Sequence, residues 1–87
     1  MADEAKQISA KHQSWMIKLL KDNDGKVSYE ALVEEGENQQ CDTVGAMLKI
    51  LKKKKVVNFE QQFLMYPMHK EEIITLLQPD YDPLSEV

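Results

Sequence analysis

Apolar residues recur with a helical period over three stretches of the chain. Between Gln7 and Lys21, Ile8, His12, Trp15, Met16 and Leu19 mark one stripe, widened by Ile17 and Leu20, while Lys11, Gln13, Lys18 and Lys21 fall elsewhere on the wheel. This predicts a first helix over 7–21, packed by Trp15 and Leu19. Asp22-Asn23-Asp24-Gly25 predicts a stop with a left-handed residue. Lys26-Val27-Ser28 then reads as a short extended piece. Ser28 suits the N-cap of a second helix, with Glu30 favourable to the helix dipole and Tyr29, Leu32 and Val33 facing the core. Gly36 is expected to end that helix before a polar loop, Glu37-Asn38-Gln39-Gln40. Asp42 is expected to cap a third helix. In it Val44, Met47, Leu48 and Leu51 stand at i, i+3, i+4 and i+7, a core-facing stripe. Gly45, in its first turn, would let the second helix approach closely.

The period changes after this helix. Val56-Val57-Asn58-Phe59 and Phe63-Leu64-Met65-Tyr66 are β-favouring runs separated by Glu60-Gln61-Gln62, a spacing that predicts a hairpin. Without glycine, its turn should be a longer, bulged connection rather than a tight primed one. Pro67 ends the second run, because proline cannot donate to a ladder. Ile73-Ile74-Thr75-Leu76-Leu77 predicts a buried third strand. The order helix, strand, helix, helix, strand, strand, strand predicts an α+β fold. The expected form is winged helix-turn-helix-like, three helices with a small antiparallel β-sheet. The domain is expected over 7–78, after a flexible leader (1–6) and before a disordered acidic tail (79–87).

Length and charge narrow the function. The chain has 87 residues, enough for one domain with a modest core. No apolar run exceeds four residues, so no transmembrane helix is expected. The polar, acidic start MADEAKQ lacks a secretory pattern, and a lone cysteine, Cys41, fits a reducing compartment. A cytoplasmic location is the resulting expectation. The net charge is −4, so attraction to nucleic acid or anionic membrane would have to come from a local patch. All 11 basic residues are lysine. The absence of arginine removes the usual reader of guanine edges and the usual bidentate phosphate clamp.

Candidate chemistry is sparse. Asp22 to Glu30 resembles part of an EF-hand loop, with Asp22, Asp24 and Ser28 on ligand positions. With Gly25 at loop position 6, however, Leu20 falls at position 1 and Ala31 at position 12, where calcium needs oxygen ligands. His12 and His69 lie on different elements and outside any metal-ligand spacing. Neighbouring carboxylates, Glu34-Glu35 and Glu71-Glu72, read as solvated. There is no glycine-rich phosphate loop. No catalysis, metal or cofactor is expected. Ser85-Glu86-Val87 fits the loose pattern of a PDZ ligand, one that short tails meet often by chance.

The lysine run, Lys52 to Lys55, is the one local patch. As a bland feature it is a solvated helix end favoured by the macrodipole, each cation by roughly 0.3–1 kcal/mol. As a functional feature it is an electrostatic contact for an acidic partner. It does not suit base reading, because Thr43, Ala46 and Lys49 supply no arginine, asparagine or glutamine.

The ordered set Asp24-Gly25-Lys26-Val27-Ser28, LKILKKKKVVNF, QFLMY, His69 and IITLLQ resembles the Costars family. That family comprises small cytosolic proteins and the C-terminal actin-binding domain of the actin-binding Rho-activating protein. The resemblance spans about Gln7 to Gln78. It implies a winged-helix-like fold and a non-catalytic role in actin dynamics. It places the family's basic helix end on Lys52, Lys53, Lys54 and Lys55, and its wing on Val56 to Tyr66. The chain departs from the family in three respects. Its helix end is all lysine, its wing turn lacks glycine, and the connection between its second and third helices is short. The expected partner surface is Lys49, Lys52, Lys53, Lys54, Lys55 and Asn58. The expected partner is actin or an actin-regulatory protein, bound by a monomer. The alternative is a winged-helix nucleic-acid-binding protein without base-specific readout.

Overall fold

The structure is a computed structural model that describes residues 2–86, with side chains over 7–85. The elements run α1 (Ala2–Asp22), β1 (Lys26–Ser28), α2 (Tyr29–Asn38), α3 (Val44–Lys53), β2 (Val57–Asn58), β3 (Ile73–Leu76) and a short 3₁₀ helix (Pro83–Glu86). The expected α+β class is thus observed, as three α-helices and a three-stranded antiparallel sheet. β3 is the central strand, in the order β1-β3-β2. Val27 pairs with Ile74 on one side, and Val57 with Leu76 on the other.

The sheet and helices share one core. Met16, Leu20, Leu32, Leu48, Leu51, Val56, Val57 and Ile74 are all but fully buried. Each fully buried aliphatic side chain is worth roughly 1.5–3 kcal/mol of transfer free energy. On α3, Val44, Leu48 and Leu51 are buried and Met47 packs at the edge, as its spacing predicts. On α1 the buried stripe is Ala10, Gln13, Met16, Ile17 and Leu20, whereas Ile8 is 53% exposed. The apolar stripe predicted from Ile8 is therefore rotated slightly on the wheel. Ser9 donates to the Met47 sulfur (3.4 Å) and Gln13 to the Ser9 hydroxyl (3.0 Å), so small polar side chains fill the seam between α1 and α3.

Caps and turns follow local chemistry with two corrections. Ser28 is the N-cap of α2 and its hydroxyl accepts from Ala31 N–H (3.2 Å). The Asx-Gly stop forms with Asp24 (φ 61°) and Gly25 (φ 84°) both left-handed. Gly36, expected to end α2, lies inside it. A Cβ there would stand 2.7 Å from Val44 Cγ2 and 3.1 Å from the Cys41 carbonyl, so this glycine sets how closely α2 approaches α3. Asp42 does not cap α3. Cys41 is buried, its N–H donating to the Gly36 carbonyl (2.8 Å), and the N-cap falls on Thr43 without a side-chain bond.

Two larger expectations are also overturned. The hairpin over Val56–Tyr66 does not form. Only Val57–Asn58 is strand, and it pairs with β3. Residues 59–72 form an irregular loop whose carbonyls at Phe59 and Gln61 are claimed by a lysine rather than a facing strand. The tail is not loose over 79–86. Pro83 is buried, Tyr81 packs against the core, and the 3₁₀ helix lies along α1. The Gln78 side chain ties the segment to α3 by donating to the Lys55 carbonyl (2.9 Å). At the other end, α1 begins at Ala2 rather than Gln7, because the leader residues continue its helix.

Candidate functional site

The lysine cluster sits where α3 stops. Val56 N–H donates to the Leu51 carbonyl and Lys55 N–H to the Lys52 carbonyl, both at 2.9 Å. This 6→1 and 5→2 pair is a Schellman motif, with Lys54 as C-cap and Lys55 at the left-handed position beyond it. Glycine usually occupies that position. Lys55 holds it at φ 62° despite its Cβ, at a cost of roughly 1–2 kcal/mol.

The motif divides the predicted site residues into two groups. Lys52 points inward. Its ammonium donates to the carbonyls of Phe59 (2.6 Å) and Gln61 (2.7 Å) and lies 4.4 Å from the centre of the Phe59 ring. Lys54 is exposed but engaged, donating to the Tyr81 hydroxyl (3.1 Å) with its ammonium 5.7 Å from the ring centre. Lys49, Lys53 and Lys55 are exposed, and among the described residues their side chains make no hydrogen bond or ion pair. Lys49 and Lys53 are one helical turn apart on the outer face of α3, beside the part-exposed Ile50. Asn58 is exposed, but it lines a cleft with Glu60, Glu71 and Glu72 and does not extend the basic surface.

The histidines are local partners. Nδ1 of His12 accepts from the Trp15 indole N–H (3.1 Å), and Nδ1 of His69 accepts from Met65 N–H (3.0 Å). Among the described residues, no three of His, Cys, Asp and Glu converge on a place that could hold a metal ion. Ser28, one of the calcium-like positions, is committed to its cap. No helix among the described residues is long and apolar enough to cross a membrane.

Fold and surface together define a small α+β domain that presents three free lysines at one helix end. Residues 6–77 match the Costars family model, and the chain belongs to the Costars family. That membership suggests a small domain linked to the actin cytoskeleton. No curated protein matches the chain, and neither does any solved structure.

In sequence the lysines read as one unit, yet their spacing already separates them. Lys52 stands four residues after Leu48 and eight after Val44, so it continues the buried stripe, whereas Lys49 and Lys53 continue the outer face.

Proposed function

We propose that this protein is a non-catalytic binding module of the actin cytoskeleton, contacting actin or an actin regulator through Lys49, Lys53 and Lys55. The observation that carries this reading is the strained Lys55. A side chain held at φ 62°, where glycine would relieve the backbone, keeps an exposed cation two residues past Lys53, just beyond the helix that also exposes Lys49. Backbone strain of this kind motivates a search for function at the strained residue. Actin presents an acidic surface. A basic patch on a chain of net charge −4 would orient the encounter and make it salt-dependent. The chain would act as a cytoplasmic monomer.

The test is cosedimentation with actin filaments at low salt, with and without a bound regulator. A K49A/K53A/K55G variant keeps every internal contact of Lys52 and Lys54. Loss of three peripheral charges, each worth roughly 0.2–1 kcal/mol, should weaken association by about tenfold. Unchanged association of that variant, or no association of the intact chain at low salt in either setting, overturns the reading.

A further inference from the structure

Among the described residues, five of the nine large exposed hydrophobic side chains fall within one stretch of sequence. Phe63, Met65, Tyr66 and Met68 lie in the 59–72 loop and Ile73 opens β3, each about half exposed or more. Met68 is 73% exposed. The loop is held from several sides. Lys52 grips the Phe59 and Gln61 carbonyls, and Glu60 N–H donates to the Glu72 carboxylate (2.7 Å). Tyr29 and Glu30 N–H groups donate to the carbonyls of Glu72 (2.8 Å) and Lys70 (3.0 Å). The Tyr66 ring stands edge-on to Tyr29, 6.2 Å between centres. Apolar side chains fixed in water on an ordered backbone form a surface whose ordering cost precedes any encounter.

Between this loop and the sheet lies an open cleft of about 530 Å³. Phe59, Met68 and Ile73 give it apolar walls, Glu60, Glu71 and Glu72 give it acid, and His69 also lines it. The one ammonium bound to lining residues among those described is that of Lys52, which is engaged by the carbonyls of Phe59 and Gln61. A concave surface on which one sign predominates, with low-dielectric walls, raises the local concentration of the opposite charge.

We propose that this cleft docks a basic amphipathic segment of a partner protein. Apolar side chains would seat against Met68 and Ile73, with a lysine or arginine facing Glu60 and Glu71. An acidic segment would meet like charges there. The outer face of α3 in a second copy, with Lys49, Ile50 and Lys53, has related chemistry. Such a head-to-tail contact would build rings or open chains, in either case against the repulsion of copies that each carry −4. A separate partner is therefore the occupant. The proposal concerns a different face from the exposed lysines and does not depend on the actin reading.

The test is an amide chemical-shift titration of the intact protein with a helical lysine–leucine peptide, run beside its glutamate–leucine counterpart. The lysine peptide should shift amides over 58–61 and 68–73, and the glutamate peptide should not. An E71K/M68S variant, altered only at exposed side chains, should melt like the parent and bind at least about tenfold more weakly. The K49A/K53A/K55G variant should bind the peptide like the parent, which separates failure here from failure of the actin reading. The proposal is overturned by any of three results: shifts elsewhere or none, equal binding of the glutamate peptide, or a variant without effect. Shifts at the cleft that grow with protein concentration alone would also overturn it, because the occupant would then be a second copy.

Discussion

Lys52 tests most directly whether the helix end is a binding surface or a structural joint. Replacing it with methionine keeps an apolar stem near Phe59 and removes only the ammonium. The structure assigns that ammonium two short bonds, to the carbonyls of Phe59 (2.6 Å) and Gln61 (2.7 Å), and a position 4.4 Å from the Phe59 ring centre. Hydrogen bonds to a charged group contribute roughly 1.5–3 kcal/mol each, and a part-solvated cation against a ring about 0.5–1. Against that gain stand water, which can reach part of a half-buried site, and up to about 2 kcal/mol of side-chain entropy released when the lysine is no longer fixed. The net expected loss is about 2 kcal/mol. For a domain of this size that lowers Tm by roughly 8–16 °C. Urea unfolding should show a reduced midpoint at unchanged m, and amide exchange should quicken at Glu60 and Met65 as the loop loosens. A loss under about 0.5 kcal/mol would refute the assignment. So would a stable K52M protein whose filament binding falls as far as that of K49A/K53A/K55G.

Three further perturbations separate local causes. Lys55→Gly removes a left-handed Cβ and should raise stability by up to about 1 kcal/mol, or leave it level once glycine's added chain entropy is counted; a clear fall in Tm would mean that the Lys55 side chain supports the fold. Gly36→Ala gains up to about 1 kcal/mol of helix propensity but drives a methyl to 2.7 Å from Val44 Cγ2, where overpacking costs roughly 1–3 kcal/mol. Urea midpoints should therefore fall, and a rise would show that α2 and α3 can separate at little cost. Burial raises the Tyr29 phenol above its ordinary value of 10.0, so the folded chain keeps this proton longer than the unfolded one. Its contribution is fully present below pH 10 and is lost as pH rises through the folded value. Relative to wild type, Y29F should show a shallower decline of Tm above that pH. Equal slopes would remove Tyr29 as a cause.

The helices were legible because burial on a helix has a period. Val44, Leu48 and Leu51 could be placed from spacing alone, and Ser28 from the preference of a hydroxyl for orphan N–H groups. The segment after α3 was not legible in the same way. Phe63 to Tyr66 has strand composition, yet a strand needs a partner ladder, and the partner chosen by Val57 is Leu76. That pairing joins residues far apart in sequence, and no local pattern encodes it. The tail misled for the opposite reason. Pro79-Asp80-Tyr81-Asp82-Pro83 has the composition of a loose segment, but Tyr81 and Pro83 find a surface on the folded domain. Composition describes the chain before that surface exists.

The basic cluster shows how far charge counting carries and where geometry takes over. Four consecutive lysines suggest one electrostatic unit, but successive residues on a helix turn by about 100°, so a run of like charges cannot share a face. Lys52 falls on the core flank and becomes the bolt of the 59–72 loop. Lys54 reaches Tyr81 and fastens the tail. Lys53 and Lys55, with Lys49 one turn before Lys53, are exposed and make no side-chain hydrogen bond or ion pair among the described residues. Two surfaces of opposite sign follow from this division. Lys52 orders the loop that carries the acidic, apolar cleft, and the outward lysines form the basic face. Changing all four lysines to alanine would thus damage both surfaces and the fold together. An alanine block at Lys52 to Lys55 should lower Tm and filament binding at once, while K49A/K53A/K55G should lower binding without lowering Tm. If both variants lose binding with no change in Tm, the inward role of Lys52 is wrong and the run does act as one unit.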